Sequence, residues 1–363
     1  MSTSQSHKSL TRLQLVMLVL TTAGVLDHVI ILPLLLRNAQ RDAWVAVLIG
    51  GAILVGSVPA LTWVSHRAGQ MHVTTWLRNH YPAPIVYLVL GILALQLFLI
   101  GSVALRETCT WAKVTYLPET PLTGIVLLLA TGCYFAAKSG LETIAIANGI
   151  LFPIIIALGV FVAVGNIQSK DYTYIRPILA HGLNGVWPAV WVAVAAFSEI
   201  VLVLFLTPHV DGQVPWYVLM IIAIGLIGLT LGPLLGAIAE FGPWEAARLR
   251  YPAYEEWRLL TFKHFFEHVD FFSIYQWLGG AFIRIALSLY LIVDLLQPST
   301  VRARFWTLTG CALAFCMFAL VPVSDEVFLQ FIEQLYMPVT LYVMAGVFGM
   351  MLMFSTRKAG RSR

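Results

Sequence analysis

Four ionisable side chains stand inside stretches that are otherwise apolar: Asp27, Glu199, Glu240 and Arg284. A charge held in hydrocarbon costs about 2.5–3.5 kcal/mol or more, so such groups face a bundle interior, pair with one another, or line a wet cavity. Arg284 therefore needs an anion, and Glu199 and Asp27 are its candidate partners. The chemistry open to this set is binding of a small polar ligand or cation, or passage of a proton. Asp27 follows Gly24-Val25-Leu26, and Pro33 lies six residues on. Gly and Pro within one helix free backbone groups and permit a local break. The carbonyls and amides exposed there can hold a ligand. The competing reading is a kinked packing helix in which Asp27 pairs with His28 or with another helix. Glu199 closes the stretch Ala195-Ala196-Phe197-Ser198-Glu199 at similar depth in a later run, with Pro188 near that run's start. Its competing reading is a structural hydrogen bond to a neighbouring helix.

Other chemistry is poorly supplied. Ser198 and Ser288 have no His–acid relay near them in sequence, and no phosphate- or dinucleotide-binding glycine loop is present. Neither an enzyme nor a bound cofactor is expected. His66, His72 and His80 fit no single ligand face, so no metal site is expected there. Cys109, Cys133, Cys311 and Cys316 lie in or beside apolar stretches without metal-ligand spacing and read as buried thiols. Gly228, Gly232 and Gly236, at four-residue spacing, read as a smooth helix-packing face.

The elements that must position these groups follow from composition. The chain has 363 residues, 59% hydrophobic and 11% charged, against about 25% charged in soluble domains. That leaves no sizeable soluble domain. A net charge of +4 with no basic block gives no nucleic-acid surface. Ten apolar runs are long enough, or nearly so, to span a bilayer: residues 13–36, 43–65, 84–105, 122–137, 144–164, 186–207, 216–239, 271–296, 305–321 and 336–354. The expected fold is thus all-α and integral to the lipid bilayer, with about ten transmembrane helices. Ten spans put both termini on one face, and the basic tail at 357–363 favours the cytoplasm for it. The polar N-terminus up to Arg12 lacks a signal peptide's features, so the first run is expected to stay as a helix. Residues 241–267 mix aromatics with charge at helical spacing and read as two interfacial helices broken by Pro252. A polar linker at 166–185 divides the chain into halves of five spans each, about 13–165 and 186–355. If the halves are repeats, spans one and six correspond, and each carries a mid-depth acid after small residues. That is the pattern of an inverted-repeat transporter, whose site lies at the midplane. In the third span Gln96 and Gly101 are the least apolar positions.

Several stretches, in order along nearly the whole chain, resemble the B-subunit family of bacterial spore germinant receptors, within the amino-acid/polyamine/organocation transporter superfamily. They are Arg41-Asp42-Ala43-Trp44, Lys138-Ser139-Gly140-Leu141-Glu142-Thr143-Ile144-Ala145, Lys170-Asp171-Tyr172 with Arg176-Pro177, and Phe197-Ser198-Glu199. Phe241-Gly242-Pro243-Trp244-Glu245-Ala246-Ala247 with Arg250-Tyr251-Pro252, then Glu267-His268-Val269-Asp270 before Trp277-Leu278-Gly279, complete the set. The resemblance implies a LeuT-like fold of two inverted five-helix repeats with helices one and six broken. It implies an inner spore membrane location, an A-type membrane subunit and a C-type lipoprotein as partners, and a small germinant, often an amino acid, as ligand. Similar members usually have an uncharged Gly-rich stretch in the first helix; here Asp27-His28 lies between Gly24 and Pro33, so an amine is a further candidate ligand. Arg284 stands where relatives have Lys. Together these readings place a ligand between helices one, three, six and eight. Gly24, Val25 and Leu26 with Ala196, Phe197 and Ser198 would hold its polar groups, Asp27 and Glu199 would supply charge, and Arg284 would balance it. The rival functions are a proton-coupled amino-acid or amine permease and a purely structural subunit.

Overall fold

The structure, a computed structural model, describes residues 10–179, 182–260 and 269–356, with side chains to Met353. The basic tail at 357–363, the first nine residues and Glu267-His268 lie outside the described residues. Regular structure among the described residues is helical, apart from one isolated bridge between Leu10 and Val210.

Helix α1 (Arg12–Val25) opens on a capping box: the Thr11 hydroxyl accepts from the Gln14 N–H at 3.2 Å, and the Gln14 side chain accepts from the Thr11 N–H at 2.9 Å. It runs through a π turn (Leu26–Ile30) into α2 (Leu32–Ala39). Pro33 explains the interruption: it lies in the first turn of α2, where its missing N–H and ring are tolerated, and the wider turn ahead of it takes up the register change. Next come α3 (Ala43–Ala68), the short α4 (Val73–His80), α5 (Ala83–Thr115), α6 (Leu122–Ser139) and α7 (Leu141–Gly165). After a polar linker, α8 (Trp187–Phe197) passes through a 3-10 stretch (Ser198–Leu202) into α9 (Val203–Leu206). Then follow α10 (Trp216–Ala246), kinked at Gly242 with φ of 75°, α11 (Pro252–Leu259), α12 (Phe272–Leu296) and α13 (Val301–Ala319). The last span is α14 (Asp325–Phe331), a second π turn (Ile332–Tyr336) and α15 (Met337–Thr356).

Each of the ten apolar runs falls on helix. By length and apolarity nine helical segments among the described residues can cross a membrane; α13, with Arg302 and Arg304 in its first turn, is not among them. The chain is an integral, multi-pass membrane protein. Its interior spans are the first, sixth and eighth: 72%, 83% and 83% of their most apolar windows are buried, against 17% for α7. Asp27, Glu199 and Arg284, on these three spans, are therefore turned into protein rather than lipid.

Two sequence expectations change. Pro252 opens α11 at its first position, where proline suits a helix, and Glu256 and Trp257 of that helix are buried rather than lying on an interface. Ahead of Pro252 the chain is helical only as the end of α10, to Ala246 beyond the Gly242 kink, and residues 261–268 lie outside the described residues. The glycine face of α10 is also not a helix seam. A Cβ built at Gly228 or Gly232 meets nothing within 4 Å, and one at Gly236 meets the Glu256 carboxylate at 2.5 Å. Close helix approach is made instead at Gly225 against Leu20 and at Gly280 against Val25.

These contacts carry a prediction. Gly280→Ala places its Cβ 2.7 Å from Val25 Cγ2, on a side chain with little rotamer freedom to step aside. It should destabilise the protein by about 1–3 kcal/mol. Gly228→Ala, in open space, should be neutral or stabilise by up to about 1 kcal/mol through helix propensity. Thermal unfolding in detergent checks both; equal Tm values would refute the packing assignment.

Both ends of the central helices are tied. On the face opposite the termini, Arg250 donates to Glu107 Oε1 at 2.6 Å and to Asp325 at 2.7 and 3.1 Å, while Arg106 donates to the carbonyls of Ala319, Val321 and Val323. On the terminal face, His72 and His209 both reach Asp294 Oδ2, at 2.8 and 3.1 Å.

Candidate functional site

The centre of the molecule is an ion pair. Arg284, on α12, donates from its two terminal nitrogens to the two Glu199 carboxylate oxygens, each at 2.7 Å. It also donates to the Thr22 carbonyl on α1 and, at 3.0 Å, to the Tyr336 hydroxyl, which donates to Glu199 Oε1 at 3.1 Å. Arg284, Glu199 and Tyr336 are fully buried. The planar guanidinium matches the carboxylate with two parallel bonds, the arrangement in which a buried pair best offsets its desolvation. The core joins the interrupted parts of three spans: the 3-10 stretch holding Glu199, the π turn ending at Tyr336, and the last turns of α1. Thr340 donates to the Tyr336 carbonyl at 2.8 Å and accepts from Gln96 at 2.8 Å, which brings in α5.

Of the two partners considered for Arg284, the structure selects Glu199. Asp27 is fully buried beside this core, yet neither of its oxygens has a hydrogen-bond partner. His28 does not pair with it; His28 Nδ1 donates to the Leu229 carbonyl at 3.1 Å. Glu240, at the far end of α10, belongs elsewhere, paired with Lys170 at 3.4 Å.

A cavity of about 250 Å³ adjoins the core. It lies between the first span, α7, α10, α11 and α12. Gly24, Val25 and His28 form one wall, Gly228 and Gly232 another, and Glu256 with Trp257 and Gln276 its polar end. The open glycines of α10 are thus cavity wall. A second cavity of about 170 Å³, between α3, the 3-10 stretch and α15, is lined by Phe197 and Ser198. The site residues expected from sequence are therefore divided. Gly24 and Val25 line the first cavity, Phe197 and Ser198 the second, Glu199 and Arg284 form the core, and Asp27 is buried beside it. Leu26 and Ala196 are fully buried and line neither. Helix α5 joins the core through Gln96 but lines neither cavity.

Sequence reasoning missed Tyr336, which stands at the edge of its run and reads there as an interfacial aromatic. It missed Glu256 for the same reason. Burial and the neighbouring Glu240 carboxylate hold the Glu256 carboxyl well above the usual carboxylate range, with Lys170 opposing. A raised carboxyl stabilises the fold while protonated, so its contribution is complete below the ordinary value of about 4.3 and is lost as pH rises through the folded-state value. Wild-type stability should accordingly fall with rising pH more steeply than that of Glu256→Gln. Parallel Tm–pH curves for the two proteins would refute this.

His72, His209 and Asp294 are close enough together to hold a metal ion, a grouping different from the His66, His72 and His80 considered from sequence. The hydrogen bonding opposes that use. His72 Nδ1 accepts from the Thr74 N–H at 3.3 Å, so Nε2 carries the proton and donates to Asp294. Metal ligation at Nε2 would push a proton onto Nδ1, against that N–H.

Comparison with known proteins decides the family. The family model described as "Spore germination protein" matches residues 9–322. The chain belongs to the spore germination protein family. It is 37% identical over 327 residues to "Spore germination protein XB" of Bacillus anthracis, covering 90% of this chain and 92% of that one. It is 26% identical over 313 residues to "Putative spore germination protein YfkT" of Bacillus subtilis (strain 168), covering 82% of each. "Spore germination protein KB" of the same organism is 23% identical over 260 residues, 70% of each. Among solved structures, MhsT in complex with L-phenylalanine superposes with a TM-score of 0.64 at 15% identity, covering 93% of this chain and 89% of that one. Mhp1, a nucleobase-cation-symport-1 family transporter in a closed conformation with bromovinylhydantoin bound, gives 0.62 at 13% identity, covering 96% and 78%. These likenesses establish the LeuT-like transporter fold. This spore germination protein is thus a non-enzymatic, transporter-fold membrane protein.

Proposed function

We propose that this protein is the germinant-sensing subunit of a spore germination receptor and binds a small ligand, an amino acid or amine, at mid-depth beside the interruption of its first span. One observation carries the reading. The same short segment faces the cavity through Gly24, Val25 and His28, and the ionic core through Asp27 and the Thr22 carbonyl. A ligand seated against that segment shifts the π turn and with it the geometry around Arg284 and Glu199. The core then passes the change to the sixth and tenth spans. Phe197 and Ser198 line the second cavity, which leaves room for the 3-10 stretch to move. A ligand acts this way because it binds one arrangement better than the other. The receptor partners that read the change are an A-type membrane subunit and a C-type lipoprotein, in the inner spore membrane.

Asp27 supports a second reading, proton-coupled uptake of an amino acid or amine. A fully buried carboxylate without a partner is a place to carry a proton.

A thermal-shift screen of the purified protein against amino acids and amines tests ligand binding. A ligand at a hundredfold excess over its Kd should stabilise the fold by about 2.7 kcal/mol. No stabilisation by any member of the panel, from folded protein, would overturn the sensing reading. Accumulation of the same ligand in proteoliposomes under a pH gradient would replace sensor by permease.

A further inference from the structure

The polar groups of the large cavity are mostly satisfied within the protein. Trp257 Nε1 donates to Gln276 Oε1 at 3.0 Å, Thr21 donates to Asn148 at 2.7 Å, the Tyr116 hydroxyl lies 3.0 Å from Ser273 Oγ, and His28 donates to Leu229. Glu256 is different. Its residue is 3% exposed, it lines the cavity, and its Oε1 has no hydrogen-bond partner. Its carboxylate lies against α10 where Gly236 leaves room for it.

The charges nearby do not balance. Lys170 is paired with Glu240 at 3.4 Å, and Asn166 donates to Glu240 Oε2 at 3.4 Å and to the Glu256 main-chain carbonyl at 2.6 Å. Among the described residues two carboxylates thus share one lysine, and the lysine is spent on Glu240. Trp277 Nε1, the other buried unpartnered polar atom among the described lining residues, is a donor and supplies no charge. Among the described residues, no Lys or Arg lines the cavity. A buried carboxylate in an apolar cavity is neutral or meets a cation.

We infer that Glu256 is the anchor for the ammonium group of an amphiphilic amine, whose apolar body lies along Gly228, Gly232 and the first span. The ligand's ammonium takes the place of the carboxyl proton, which leaves to solvent. A ligand carboxylate would find no Lys or Arg among the described lining residues, so the site as described selects free amines over zwitterionic amino acids. The inference rests on the sensing reading for its biological consequence, though not for the binding itself.

The test uses the purified full chain with phenethylamine, 2-phenylethanol and L-phenylalanine as probes, read by thermal shift and tryptophan fluorescence. Phenethylamine should bind the wild type at least about tenfold more tightly than either of the others, the scale of one charge-assisted hydrogen bond. Glu256→Gln should abolish that preference. Gly232→Leu, which fills the cavity without touching the carboxylate, should abolish binding of the amine and the alcohol alike. Equal binding of amine and alcohol by the wild type would overturn the inference without recourse to any variant. So would an amine preference that survives Glu256→Gln. The two levels fail separately. An amine preference in the purified protein, with spores that ignore amines, leaves the site standing and removes the sensing reading. Spores responding to a ligand whose binding is indifferent to Glu256→Gln keep the sensing reading and remove the anchor.

Discussion

Replacing Glu199 by Gln should destabilise the protein by about 3–5 kcal/mol, because it strands the Arg284 guanidinium in a fully buried position. The loss follows from geometry as much as charge. Both terminal nitrogens of Arg284 donate to Glu199, at 2.7 Å each, and Nε has no partner to fall back on. Removing both charges is a different experiment. In Glu199→Gln/Arg284→Met no charge is left to be desolvated, and most of the lost stability should return. Tm in detergent, with protein recovered from the membrane as a second readout, checks the pair. A double variant no more stable than the single would mean that the core is held by something other than the ion pair. The double variant should still fail to support germination, since the link between the first and sixth spans is gone.

The second large effect is on response and spares the fold. Gly228 and Gly232 have nothing within 4 Å of a built Cβ, and both line the larger cavity. Gly232→Leu should therefore leave the unfolding free energy, followed through Tm, within about 1 kcal/mol of the wild type, since a helix gains propensity when glycine is replaced. It should still abolish the germination response, because leucine occupies the space beside Gly24, Val25 and His28. Spores carrying this variant, with the protein level confirmed by immunoblot, give the result directly. A normal response at normal protein level would place the ligand elsewhere, the cavity lined by Phe197 and Ser198 being next to probe in the same way.

Much of this was legible from residue types. A charge in an apolar run demands a partner, so Arg284 pointed to Glu199 or Asp27, and the fold decided for Glu199. Gly24 and Pro33 bracketing Asp27 marked the interruption of the first span, although it takes the form of a π turn (Leu26–Ile30) rather than an unwound strand. The rest depends on which helix faces which. The four-residue spacing of Gly228, Gly232 and Gly236 is the same whether a helix, a side chain or empty space lies opposite. Here the last faces Glu256 and the first two face the cavity. Glu256 and Trp257 have the amphipathic look of an interfacial helix, and their burial comes from α11 setting Glu256 against α10 and Trp257 against Phe161 and Val162 of α7 and Gln276 of α12. His72 and Asp294 are 222 residues apart, so no spacing rule connects them. Tyr336 was hidden by its position at the edge of a run, where an aromatic ordinarily marks the membrane interface.

The central claim is that ligand binding beside the first span is transmitted through the ionic core, and Tyr336→Phe isolates it. This variant deletes only the hydroxyl that bridges Arg284 and Glu199, at 3.0 and 3.1 Å, and Tyr336 lines neither cavity. Ligand-induced stabilisation of the purified protein and germination of spores carrying the same variant are measured side by side. The account predicts wild-type ligand stabilisation together with a germination response reduced at least about tenfold. A wild-type response from Tyr336→Phe spores would contradict it, and would leave the Arg284–Glu199 core as a structural tie.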